Sequence, residues 1–249
     1  MSGHSKWATI KHKKGAADAK RGKLFAKLAR QIEVSARAGG GDVDMNPTLR
    51  TAVQKAKAAS MTNDAIDRAI KRGTGESDGG TYEDITYEGY APGGVALLID
   101  VLTDNRNRTS ADIRNILSKM GGSMAEPGAV GWQFSRRGIV LIEGSVNEDD
   151  LMLAALEAGA DDVSGEGDSW TVTCAPTDTF EVKEALESAG YTVVSADMPM
   201  VSDNLVPVES VEDAKKLLRI LDAIEDNDDV QDVYSNFDIS DDVMEAATA

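Results

Sequence analysis

One cysteine, Cys174, stands alone among 249 residues, so no intrachain disulfide can form, and the composition suits a reducing compartment. Long apolar runs are missing too. No stretch approaches the ~20 apolar residues of a membrane span, and the basic N-terminus is not followed by the roughly 7–15 apolar residues of a secretory signal. The chain reads as a soluble, cytoplasmic globular protein with no membrane partner. Its glycine-rich stretches, GTGESDGG and GEGDSW, fail the G-x-G-x-x-G pattern, and no G-x-x-x-x-G-K-[ST], G-x-S-x-G or H-E-x-x-H occurs. The two histidines, His4 and His12, lie near the N-terminus without a neighbouring cysteine or an evident third ligand, so no metal is expected. IEDNDDVQD (224–232) lacks the glycine and terminal glutamate of a calcium loop and reads as a solvated helix-to-strand connection. No cofactor site and no catalytic constellation emerges.

Positive charge is scarce overall but concentrated. The formal net charge is -17, yet residues 1–74 hold 16 Lys+Arg against 6 Asp+Glu, and residues 75–249 hold 10 against 37. Such asymmetry points to an anionic partner at the basic end. The acidic remainder repels polyanions over about a Debye length, ~8 Å at physiological salt, which confines contact to that end.

The length allows one to three domains, and the periodicities divide it. Over 16–38, Leu24, Leu28, Ile32 and Ala36 recur every four residues, which predicts a long helix. Asn46-Pro47 starts a second helix as N-cap and first helical residue, and Thr62 caps a third. Together they predict a three-helix bundle. Beyond the linker at 73–80, residues 85–102 read as a hairpin around Ala91–Gly94, followed by a helix from Thr109 to Met120. Residues 138–199 run βαββαβ, a ferredoxin-like order. The tail, a strand near Leu205–Val208, a helix Ser210–Glu225 and a strand Val230–Ile239, has no core of its own and is expected to rejoin the 80–135 sheet. The expected fold class is α+β: the bundle, then two α/β-sandwich domains, one ferredoxin-like and inserted in the other. The expected domains are 1–78, the discontinuous pair 79–135 with 200–249, and 136–199.

The segment GHSKWATIKHKK carries Lys6, Lys11, Lys13 and Lys14 with Trp7 and His12. Its lysines suit phosphate, and its tryptophan can stack on an unpaired base. Charge then continues onto the first helix, where Lys20, Lys23, Lys27 and Arg30 fall nearly opposite the apolar stripe, with Arg21 beside them. This combination marks a nucleic-acid contact. In TDNRNRTSADIR, Arg106 and Arg108 precede a helix start and form either a second anion site or local ion pairs with neighbouring acids.

GHSKWATIKHKK, DAKRGKLFAKLAR, AIKRG, YEGYAPGGVALLIDVLTDNRNRT and GAVGWQFSRRG, in this order, resemble the YebC/PmpR family of regulators. The mitochondrial translational activator of cytochrome c oxidase belongs to the same group. The resemblance runs from Ser2 to about Phe237. It implies three domains, no enzymatic activity, and a DNA-binding transcriptional regulator, or a ribosome-associated factor that contacts ribosomal RNA and acts on stalled or proline-rich translation. A protein-docking adaptor that uses its acidic face is a less specific third reading. Thr62 departs from the family's usual proline without loss of capping chemistry.

Overall fold

The computed structural model describes residues 18–77, 80–166 and 169–248. Three helices come first: α1 (Asp18–Gly39), α2 (Pro47–Ala58) and α3 (Asn63–Gly73). Leu28, Ile32 and Ala36 of α1 are buried against Leu49, Ala52, Val53 and Ala56 of α2 and Ile66 and Ala69 of α3. Leu24, expected on the same stripe, is 44% exposed. At 22 residues, α1 overhangs partners of 12 and 11. Asn46 caps α2 by accepting from the Leu49 N–H, and its amide donates to the Ser35 and Gly40 carbonyls, pinning the α1–α2 turn. Thr62 occupies the cap position of α3, but its side chain makes no capping bond.

The hairpin β1 (Glu83–Tyr90) and β2 (Ala96–Thr103) leads into α4 (Arg106–Lys119) and β3 (Ser123–Met124). Next come β4 (Phe134–Arg136), β5 (Gly138–Glu143), α5 (Glu148–Glu157), β6 (Ala160–Glu166), β7 (Ser169–Cys174), α6 (Thr179–Ser188), β8 (Val193–Asp197) and β9 (Met200–Ser202). The chain continues through β10 (Val206–Pro207), α7 (Val211–Glu225), β11 (Val230–Ser235), β12 (Phe237–Asp238) and α8 (Asp241–Thr248).

The tail rejoins the first sheet, whose order is β11-β2-β1-β3. Its central strand β2 is buried on both faces, as the near-continuous apolar run VALLIDVL requires. One face packs Leu97, Ile99 and Val101 against Ile113 and Leu117 of α4 and Leu217, Ile220 and Ile224 of α7. The opposite face carries a smaller cluster of Ala96, Leu98, Val130, Phe134 and Tyr234. The βαββαβ segment forms a separate antiparallel sheet of order β6-β7-β5-β8, the ferredoxin-like arrangement, with its own core around Val140, Leu151, Val172 and Leu186. Just outside it, β4 and β9 pair antiparallel, Phe134 opposite Ser202.

Two element boundaries differ from expectation. The strand expected over 230–239 breaks at Asn236, a buried residue that accepts from the Ala96 N–H and donates to the Asn204 carbonyl and the Gln133 amide oxygen. Helix α4 begins at Arg106, capped by Asn105 accepting from the Arg108 N–H, rather than at Thr109. Arg106 and Arg108 therefore sit inside its first turn, and Thr109 is a buried helical residue.

Candidate nucleic-acid interface

Lys6, Trp7, Lys11, His12, Lys13 and Lys14 lie outside the described residues. Lys20 and Arg21 fall on α1, whose backbone alone is described there. From Lys23 onward the cationic face of α1 is placed, and it does not stand open. Lys23 Nζ donates to the Asp226 carbonyl at 3.1 Å and pairs with its carboxylate at 2.9 Å. Lys27 Nζ donates to the Glu225 carbonyl at 2.6 Å. The Arg30 guanidinium donates to the Leu102 and Asp228 carbonyls, each at 2.9 Å, and to Asp229 Oδ1 at 3.1 Å. The same guanidinium lies 4.9 Å from the centroid of the Tyr82 ring. Further along, Arg37 donates to the Gly80 carbonyl and to Glu33.

The receiving surface is the C-terminus of α7 and the turn that follows it. Unpaired carbonyls at a helix C-terminus carry the negative end of the macrodipole, which favours the lysines that meet them. The 224–232 connection is therefore only partly solvated. Asp229 is 6% exposed, buried beneath Arg30.

Asp229 organises this junction. Its Oδ2 accepts from Arg108 at 2.7 Å, Thr109 Oγ1 at 2.6 Å and Thr103 Oγ1 at 3.1 Å, while Oδ1 receives Arg30. Burial pushes this carboxyl up, but the Arg108 guanidinium and the two threonine hydroxyls outweigh it and hold it below the usual aspartate value. Arg108 is raised in turn, chiefly by its hydrogen bond to Asp229 and then by Asp104. The local ion pair foreseen as one alternative at this turn is thus formed by Arg108. Arg106 differs: it is exposed, and no side-chain partner accompanies it among the described residues.

Several residues at this junction carry no mark in the sequence. Asp229 sits in a run of acids and amides that looks uniformly solvated, Tyr82 matches no motif, and Thr103 opens TDNRNRTSADIR without signalling a buried partner. Glu33 likewise resembles a surface glutamate on a basic helix, yet it is 3% exposed and joins Arg37 and Arg72, each at 3.1 Å, inside the bundle. The one available signal was the preponderance of acids facing a basic helix within a single chain.

The motifs YEGY and GAVGW meet at a second polar device. The Glu88 carboxylate accepts backbone N–H groups from Gly128, Val130 and Gly131 at 2.6, 2.6 and 2.8 Å. Burial raises this carboxyl, but the backbone donors leave it below its ordinary value. The loop so held presents Trp132, 73% exposed, with its indole N–H bonded to the Ala129 carbonyl. Among the described residues no helix is long and apolar enough to cross a membrane.

Comparison with known proteins covers nearly the whole chain. Residues 5–76 match the TACO1/YebC protein N-terminal domain, and residues 82–237 match the TACO1/YebC second and third domain. A protein of Halothermothrix orenii named "Probable transcriptional regulatory protein" is 56% identical, spanning 100% of this chain and 99% of that one. A protein of Rubrobacter xylanophilus with the same name is 58% identical over 98% of both chains. Among solved structures, a conserved hypothetical protein from Aquifex aeolicus superposes with a TM-score of 0.78 at 42% identity, covering 90% of this chain and 93% of that chain.

Proposed function

The chain belongs to the TACO1/YebC family, and on that premise we propose that it is a non-enzymatic, nucleic-acid-binding regulator of gene expression, acting on DNA in transcription as its relatives' names state. The observation that carries this reading is the net positive balance of residues 1–74, 16 Lys+Arg against 6 Asp+Glu, in a chain whose remainder is strongly acidic. The contact residues are Lys6, Trp7, Lys11, His12, Lys13, Lys14, Lys20 and Arg21 of the N-terminal segment, the α1 cations Lys23, Lys27 and Arg30, and Arg106 at the start of α4, while Arg108 is held by Asp104 and Asp229.

A second reading, a ribosome-associated translation factor that contacts ribosomal RNA, is favoured by one specific observation. Sequence-specific reading of duplex DNA leans on guanidinium forks in the major groove, and of the candidate arginines Arg30 and Arg108 are both bound to Asp229. Lysines supply position on phosphate and no base discrimination.

A competition titration at fixed salt with a duplex, its scrambled counterpart and a structured RNA separates the two. Roughly a thousandfold preference for one duplex, the low end of specific recognition, is the result expected of a DNA-acting regulator. Weak sequence preference on duplex with comparable or better RNA binding would favour the ribosomal reading instead. Deleting residues 1–22 removes Lys6, Lys11, Lys13, Lys14, Lys20 and Arg21. If all of them meet phosphates, the log–log salt slope on duplex falls by roughly five. An unchanged slope and affinity would count against the N-terminal contact.

A further inference from the structure

From Lys23 onward, the cations that make the α1 face suited to phosphate are, in this structure, already bound to oxygen atoms of the same chain. Lys23, Lys27 and Arg30 donate to the carbonyls of Glu225, Asp226, Asp228 and Leu102 and to the carboxylates of Asp226 and Asp229. These acceptors present the chemistry of a phosphodiester backbone: closely spaced oxygens bearing full or partial negative charge.

The junction is polar in a second respect. The apolar cluster of the bundle draws only on residues between Phe25 and Ile70, and the two clusters of the α+β body draw on none of them. No shared hydrophobic core ties the two bodies together among the described residues. What joins them is the α1 contacts, Arg37 on the Gly80 carbonyl, Arg30 over Tyr82, and a 3.8 Å pair between Lys55 and Asp197 of β8. Without a shared apolar core, domain motion is the ordinary behaviour of such an interface; salt screens its exposed pairs, Lys23–Asp226 and Lys55–Asp197, more than the part-buried Arg30–Asp229 pair.

We propose that the cationic face of α1 is a two-state latch: closed on the α7 C-terminus and the 226–229 turn in the free protein, and released to the phosphate backbone of a bound nucleic acid. Binding then swings the bundle away from the α+β body. This rests on the nucleic-acid reading above and adds to it a self-occluding step. Affinity is reduced by the fraction of molecules that are open, so loosening the latch tightens binding even as net charge elsewhere stays fixed.

Pulsed electron–electron resonance tests the motion. Met45→Cys in the bundle and Ser118→Cys on α4, both at exposed positions, carry spin labels, while the fully buried Cys174 is left in place. The free protein should show a single distance population. A longer population should appear with saturating 30-base-pair duplex or a structured RNA hairpin, and in 1 M NaCl without nucleic acid, where the Debye length is about 3 Å. Binding is followed on the same samples by anisotropy. Nucleic acid bound with the distance unmoved overturns the latch and leaves the proposed function standing. No binding to either polymer overturns the function and the release step together.

A charge-matched pair of variants gives an independent reading. Asp226→Asn loosens the Lys23 contact, and Asp222→Asn removes the same charge one turn earlier on α7. Asp226→Asn should bind about 2–5-fold more tightly than Asp222→Asn, the range set by one exposed ion pair. Equal affinities would overturn the latch.

Discussion

A single buried carboxylate at the domain junction answers to two guanidinium groups and two hydroxyls. Asp229 is ionised because Arg108, Thr109, Thr103 and Arg30 compensate its burial. Its folded-state value lies below the unfolded one, so the stability it supplies is present above the ordinary aspartate range, near 3.9, and is lost as pH falls through the depressed value. Asp229→Asn keeps the shape but loses the charge-assisted bonds, and should cost about 2 kcal/mol at neutral pH. Denaturant titrations at pH 7 and pH 3 should show that this difference shrinks in acid. Asp100 has the opposite sign. Burial raises its carboxyl, Thr86 donates to it at 2.8 Å, and Asp232 stands directly across the strand pair with Asp84 also near. Its ionised form costs stability, and that cost grows as pH rises through the raised folded value. Asp100→Asn should therefore stabilise the protein at neutral pH by about 0.2–1 kcal/mol, the worth of a like-charge cross-strand pair, with no gain at pH 3. A destabilised variant at pH 7 would refute this assignment.

At the scale of elements, the α1–α3 crossing is held by the absence of a side chain. A Cβ on Gly73 would collide with the Glu33 carbonyl oxygen and lie 2.7 Å from Ala36 Cβ. Gly73→Ala should cost about 1–3 kcal/mol through overpacking, despite alanine's better helix propensity. A thermal shift in the stabilising direction would show that the helices can part. This glycine illustrates what the sequence displayed and what it concealed. The sequence places Gly73 at the start of the 73–80 linker, yet it is the last residue within α3, chosen for proximity. The helical stripe of α1, the run VALLIDVL and the alternation over 138–199 were legible because periodicity reports which side is buried. The partner of a charged face leaves no periodic trace. Lysines 23 and 27 have the same spacing whether they face water, phosphate or the end of α7. Asn105 and Thr109 are both acceptable caps in TDNRNRT, and what excludes Thr109 is a hydroxyl bonded to Asp229, far along the chain.

For the whole molecule, cores confined to separate bodies and a polar seam between bundle and α+β body predict unfolding in more than one step. Calorimetry at low salt should show the bundle's transition nearest the others, and raising salt to 1 M should separate it. A single transition with equal calorimetric and van't Hoff enthalpies at both salts would contradict this. The antiparallel pairing of β4 with β9 bears on assembly during synthesis. Residues 134 and 202 flank the inserted unit, and bringing them together through a flexible intervening chain would pay the closure entropy of a long loop. The βαββαβ unit is complete by Asp197 and sets its two ends side by side, so its own folding brings β4 and β9 together ahead of the tail. An inserted domain that delays the chain's return in sequence thereby shortens that return in space.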